Sequence, residues 1–130
     1  MHRSRLFAVL IDTPKEQAGA AVEFWRQALG VEVEPEVGNE QFTILHGAID
    51  GAIAAVQALG GDGDAPRVHL DVETDDVDAE TARLVGLGAV QVGEWAECRV
   101  LRVPGGHITC VVPVHSDAEV FAARARTWGA

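Results

Sequence analysis

His69 is the side chain best placed by type to do chemistry, an imidazole set in the apolar run Val68-His69-Leu70-Asp71-Val72. Such a ring can move a proton near neutral pH, bind a metal, or hydrogen-bond a neighbour. If the run is a strand, alternation sends Val68, Leu70 and Val72 to one face and His69, Asp71 and Glu73 to the other. No Ser, Cys or Lys nucleophile is evidently paired with His69, which weakens acid–base catalysis and leaves ligand contact and a structural hydrogen bond open. Phe42, Ile44 and His46 share a face by the same period, so they can line a recess or belong to an outer core. Trp95, just before a strand, offers an aromatic wall or lid for a planar ligand, or fills a packing gap. His107 falls in a turn, where a polar residue is expected. Cys98 and Cys110 form no CxxC and lack the density of a disulfide scaffold, so both are expected as free thiols.

Several chemistries are excluded by what is missing. The chain has no GxGxxG or GxxxxGK[ST] loop, no GxSxG elbow and no HExxH, and Gly60-Gly61 lacks the strand-to-helix setting of a phosphate loop. Twenty Asp and Glu face ten Lys and Arg, for a net charge of −10. That balance opposes nucleic acid and anionic membranes, and reads more simply as a solvated surface than as a site for a cation. The apolar run Leu6 to Ile11 is too short for a signal-peptide core or a membrane span, so a cytoplasmic protein is expected. A single Lys among the ten basic residues, with abundant Ala, Val and Gly, is the usage of a GC-rich bacterial genome.

Positioning these side chains requires one domain of α+β type, and 130 residues suffice for its core. Leu6 to Ile11 reads as a strand, ended by a turn at Asp12-Thr13-Pro14. Thr13 and Glu16 have capping-box spacing and Pro14 suits a first helical position, so a helix should start there. Its buried stripe is Ala18, Ala21, Val22, Trp25, Ala28 and Leu29, with Gly30 as C-terminal cap. An extended piece near Val31 to Val33 leads to strands at Phe42 to His46 and Ile53 to Leu59, joined at Asp50-Gly51. The second half repeats the pattern: a strand at Val68 to Glu73, an Asp-rich helix start at Thr74 to Asp78, a helix through Leu87, and strands at Ala89 to Val92, Ala96 to Val103 and His107 to Val112. Both halves spell βαβββ, module one over about 5–59 and module two over about 67–113, with a breaker-rich linker at 60–66. A second capping box, Ser116 to Glu119, predicts a further helix over about 116–128 through Phe121, Ala122, Ala125 and Trp128, covering the domain's own sheet or a subunit contact.

Taken together, Val68-His69-Leu70-Asp71-Val72, Asp75-Asp76-Val77-Asp78, Leu87-Gly88-Ala89 and Val103-Pro104-Gly105-Gly106-His107-Ile108-Thr109-Cys110 resemble the second module of a glyoxalase-like protein. The family is the glyoxalase/bleomycin-resistance/extradiol-dioxygenase, or vicinal oxygen chelate, superfamily. Asp12-Thr13-Pro14, Phe24-Trp25, Ala28-Leu29-Gly30 and Ala54-Ala55-Val56-Gln57 match the first module. The resemblance covers roughly residues 5 to 113. It implies two βαβββ modules whose mixed sheet curls into a half-open cup with a small-molecule or metal site on the concave face, and pairing of modules within one chain or across a homodimer.

Metal-using relatives place ligands at positions that fall here on Arg5 or Leu6, Gln57, His69 and Cys110. Arg5 repels a cation, Leu6 has no donor and the amide of Gln57 is a weak ligand, so only two positions can serve, fewer than a catalytic divalent site needs. The expectation is therefore a protein without metal or other cofactor, binding a hydrophobic or aromatic compound in a cup lined by Gln57, His69, Trp95 and Cys110, with Phe42 and His46 alongside. The alternative is an enzyme of lyase, isomerase or dioxygenase class, with an atypical metal set or with His69 as acid–base.

Overall fold

The computed structural model describes residues 1–60 and 65–129. Two compact units emerge, a continuous one spanning Ala8–His69 and a split one formed by Met1–Phe7 with Leu70–Ala130. Strands β1 (His2–Pro14) and β5 (Arg67–Thr74) each contribute residues to both. The element order is βαβββ twice over, as the sequence predicts, and the whole is α+β with parallel and antiparallel pairings in each unit.

In the continuous unit, β1 is followed by a single 3-10 turn, Lys15–Gln17, then α1 (Ala18–Leu29), β2 (Val33–Glu36), β3 (Asn39–Leu45) and β4 (Ile53–Leu59). β4 runs parallel to β1, and β3 and β2 add antiparallel. Ala54, Ala55, Val56 and Leu59 of β4 are all buried, the near-continuous apolar habit of a strand covered on both faces. Ala21, Val22 and Trp25 pack with Ile11 on a buried cluster of Leu45, Ala54 and Val56. That cluster defines the helix-covered face, and Leu10, Asp12, Ile44, Ala55 and Gln57 alternate to the opposite one.

Helix α1 starts later than its capping-box spacing predicts. β1 continues through Asp12, Thr13 and Pro14 in register with Gln57, Ala58 and Leu59. Thr13 turns its hydroxyl to the Ile11 carbonyl, 3.2 Å away, instead of to a helix N–H. Strand pairing thus takes the residues that the local signal assigns to a cap. At the other end Gly30 adopts φ 64°, and its N–H closes on the Arg26 carbonyl, as a left-handed cap requires. Ala18, Ala21, Val22 and Trp25 are half-buried, while Ala28 and Leu29 face solvent, so the predicted stripe is shorter than its spacing.

The split unit holds the start of β1, most of β5, α2 (Val77–Gly86), β6 (Val90–Trp95), β7 (Cys98–Arg102), β8 (Ile108–Pro113), α3 (Ala118–Arg124) and β9 (Arg126–Trp128). β8 lies parallel to β5, with β7 and β6 following antiparallel. The Asp76 carboxylate caps α2 by accepting from the Ala79 N–H at 3.0 Å. Gly88 ends that helix at φ 114°, and a Cβ there would lie 3.3 Å from the Pro104 ring, so no other residue fits easily. Ala89, Leu101 and Val111 form the buried cluster under Leu84 and Val77 of α2.

The C-terminal helix is present but stops at Arg124. Ala125 turns extended, and residues 126–128 pair antiparallel with the start of β1, Trp128 opposite His2. The Trp128 indole N–H donates to the Ser4 hydroxyl at 2.9 Å and its ring lies 3.8 Å from the Arg83 guanidinium carbon. These partners hold Trp128 in a strand rather than on the predicted helix. The expected linker, 60–66, includes residues 61–64, which lie outside the described residues.

Candidate functional site

On the sheet face opposite α1, the continuous unit buries the carboxylate of Asp12. Its residue is 1% exposed, and Leu10 before it on the same face is buried apolar core. One carboxylate oxygen accepts from His69 Nδ1 at 2.7 Å and from Arg67 Nε at 3.2 Å. The other, Oδ1, is buried and has no hydrogen-bond partner among the described residues. A buried polar atom left so is costly, of order 1–3 kcal/mol, unless something donates to it.

Register carries this position across the sheet. Asp12 pairs with Gln57 on β4, and Gln57 pairs with Phe42 on β3. Register partners share a face, so carboxylate, amide and aromatic ring stand in one row, with His69 bonded to the carboxylate. Gln57 and Phe42 are half-buried, and Ala55 and Ile44 supply the next, apolar row. Because an ionised carboxylate only accepts, Nδ1 of His69 carries the hydrogen, and in the neutral ring Nε2 is the acceptor nitrogen.

β5 runs without a break past His69, and Asp71 follows on the same side of the strand. Asp71 lies in register with Cys110 on β8, and Cys110 with Val100 on β7.

The remaining predicted residues separate. Trp95 ends β6 opposite Cys98 and is 63% exposed, so it fills no packing gap. His46 lies just beyond β3, where its Nε2 meets the Glu34 carboxylate at 2.9 Å on the exposed side of β2. The two cysteines form no disulfide and sit on the adjacent strands β7 and β8. Burial, then the charges of Asp71 and Glu97, push the Cys98 thiol up, against a smaller opposing effect of Arg99.

Asp12 is the buried group of the candidate site that sequence reasoning misses, since Asp-Thr-Pro reads locally as a turn. A signal exists: Asp12 continues the two-residue period of Ala8 and Leu10. Arg5 likewise has a different role from the one aligned with metal ligands. Its guanidinium donates to Glu73 at 3.0 Å and to the Ser116 hydroxyl at 3.0 Å. Glu73 is fully buried. Burial alone would raise its pKa, but the Ser116 hydroxyl, the N–H groups of His115 and Ser116, and Arg5 outweigh that and hold it below its ordinary value.

The family model for a glyoxalase-like domain matches residues 8–112. Among solved structures, a hypothetical protein of Bacillus halodurans superposes with TM-score 0.63 at 11% identity, covering 88% of this chain and 97% of that one. Methylmalonyl-CoA epimerase of Mycobacterium tuberculosis gives 0.59 at 21%, with coverages of 85% and 88%. The Streptomyces coelicolor methylmalonyl-CoA epimerase, in complex with 2-nitronate-propionyl-CoA, gives 0.54 at 23%, with coverages of 86% and 95%. Identities this low speak for the fold alone. No curated protein matches the chain. With both βαβββ units in place and the family model spanning most of its length, the chain belongs to the glyoxalase-like domain family of the vicinal oxygen chelate superfamily.

Proposed function

We propose that this protein binds a small, largely apolar or aromatic molecule on the sheet face that carries Asp12, Phe42, Gln57 and His69. The observation that carries the reading is the buried Asp12 carboxylate with one oxygen committed to His69 and Arg67 and the other without a donor. A ligand N–H or O–H directed at Oδ1 satisfies it, the Gln57 amide supplies a second polar contact, and Phe42, Ile44 and Ala55 supply apolar wall. We also propose a cytoplasmic homodimer; light scattering at micromolar concentration tests the assembly, and a monomer alone would contradict it.

N-phenyl-1-naphthylamine is a suitable probe, being neutral, aromatic and an N–H donor. Saturable enhancement of its fluorescence is expected, with affinity falling about tenfold in Gln57→Leu or Asp12→Asn, the worth of one buried hydrogen bond. An unsaturable response, or equal affinity in both variants with their circular dichroism unchanged, contradicts the proposal.

A further inference from the structure

Within the split unit, a cleft of about 260 Å³ opens beside the joint between α3 and β9. Four arginines line it, Arg5, Arg83, Arg124 and Arg126, together with Glu80 and Trp128. This concentration runs against the rest of the molecule, which has only ten basic residues in total and a net charge of −10.

The charges in the cleft are unevenly satisfied. Arg5 is committed to Glu73 and Ser116. Arg83 makes a two-pronged contact with Glu80, 2.8 Å at each prong, and stacks on the Trp128 ring. Glu80 is fully buried and also meets His2 Nε2 at 2.8 Å. Burial would raise its pKa, but Arg83, His2 and Ser4 outweigh that, so it stays ionised with its charge already answered. Arg124 and Arg126 are exposed and form no ion pair among the described residues. They flank Ala125, where the chain passes from helix to strand. β9 pairing with β1 and the Trp128 bond to Ser4 fix that joint.

We propose that this cleft is a binding site for a small oxyanion, the phosphate or carboxylate group of a low-molecular-weight compound. Arg124 and Arg126 supply the uncompensated charge and the N–H forks that suit such oxygens. Arg5 and Arg83, held in place by their own partners, form the positive wall behind. The volume is ample for a small acid or phosphate.

Inorganic phosphate and succinate are titrated separately at constant ionic strength, with chloride as control, following Trp fluorescence and the thermal midpoint. Trp128→Phe assigns the optical signal. The expected result is a saturable response to one or both oxyanions, absent with chloride and weakened at least tenfold in the double variant R124Q/R126Q. Both side chains are exposed, so that variant should fold normally. A response equally strong in the double variant, or none from the wild type by either readout, overturns the proposal. Because the aromatic probe of the Asp12 row is uncharged, the two proposals fail independently.

Discussion

Asp12 and His69 form the hydrogen-bonded pair at the centre of the candidate site. A carboxylate 2.7 Å from Nδ1 fixes the imidazole's orientation and tautomer, whichever ligand the ring meets. The structural hydrogen bond and the ligand contact, open alternatives in the sequence, are compatible in this geometry. Cys98 shows a second residue-scale effect: its raised pKa leaves less thiolate at neutral pH than an ordinary thiol has. Alkylation by iodoacetamide at pH 7.5 should be slower than for a free cysteine, faster at pH 9.5, and faster at pH 7.5 in Asp71→Asn, with mass spectrometry assigning the site. An Asp71→Asn rate equal to wild type contradicts the electrostatic part of that argument.

At the scale of elements, the fold was legible where periodicity and glycine acted together. Gly30 and Gly88 mark helix ends by the positive φ they adopt, and β4 matches its apolar run from Ile53 to Leu59. Capping signals misled where a long-range partner outbid the local one. Thr13 belongs to a parallel strand, and the Ser116 hydroxyl is 2.6 Å from Glu73 instead of capping α3. Glu73 therefore ties β5 to the start of α3, and its depressed pKa makes that tie pH-dependent. The ionised form is favoured in the folded chain, so its contribution is complete above the ordinary 4.5 and drains away as pH falls toward the folded value. Glu73→Gln should cost roughly 2–4 kcal/mol at pH 7, because it removes the buried carboxylate charge that the Arg5 guanidinium, the Ser116 hydroxyl and two backbone N–H groups all face. Urea denaturation should show that difference shrinking on acidification, and a pH-independent difference contradicts the linkage. The β6–β7 hairpin offers the opposite test: Ala96 sits at φ 51°, a conformation that strains a Cβ, so Ala96→Gly should raise stability by about 0.5 kcal/mol.

At the scale of the molecule, two βαβββ units and a family model over residues 8–112 agree, whereas function depends on side chains that the fold leaves free to vary. Gln57 and His69 were visible as candidates because they fall at aligned positions. Asp12 was not, because Asp-Thr-Pro reads locally as a turn and its place beside Gln57 comes from register with β4. Phe24, 61% exposed on α1, is the apolar surface that competes most plainly with the Asp12 row for an aromatic ligand. Amide and side-chain NMR of the full chain, titrated with N-phenyl-1-naphthylamine, separates the two directly. The largest shifts are expected on the Gln57 side-chain amide, the Phe42 ring and the His69 imidazole. Shifts confined to Phe24 and its neighbours on α1, with the Asp12 row unmoved, would contradict that placement.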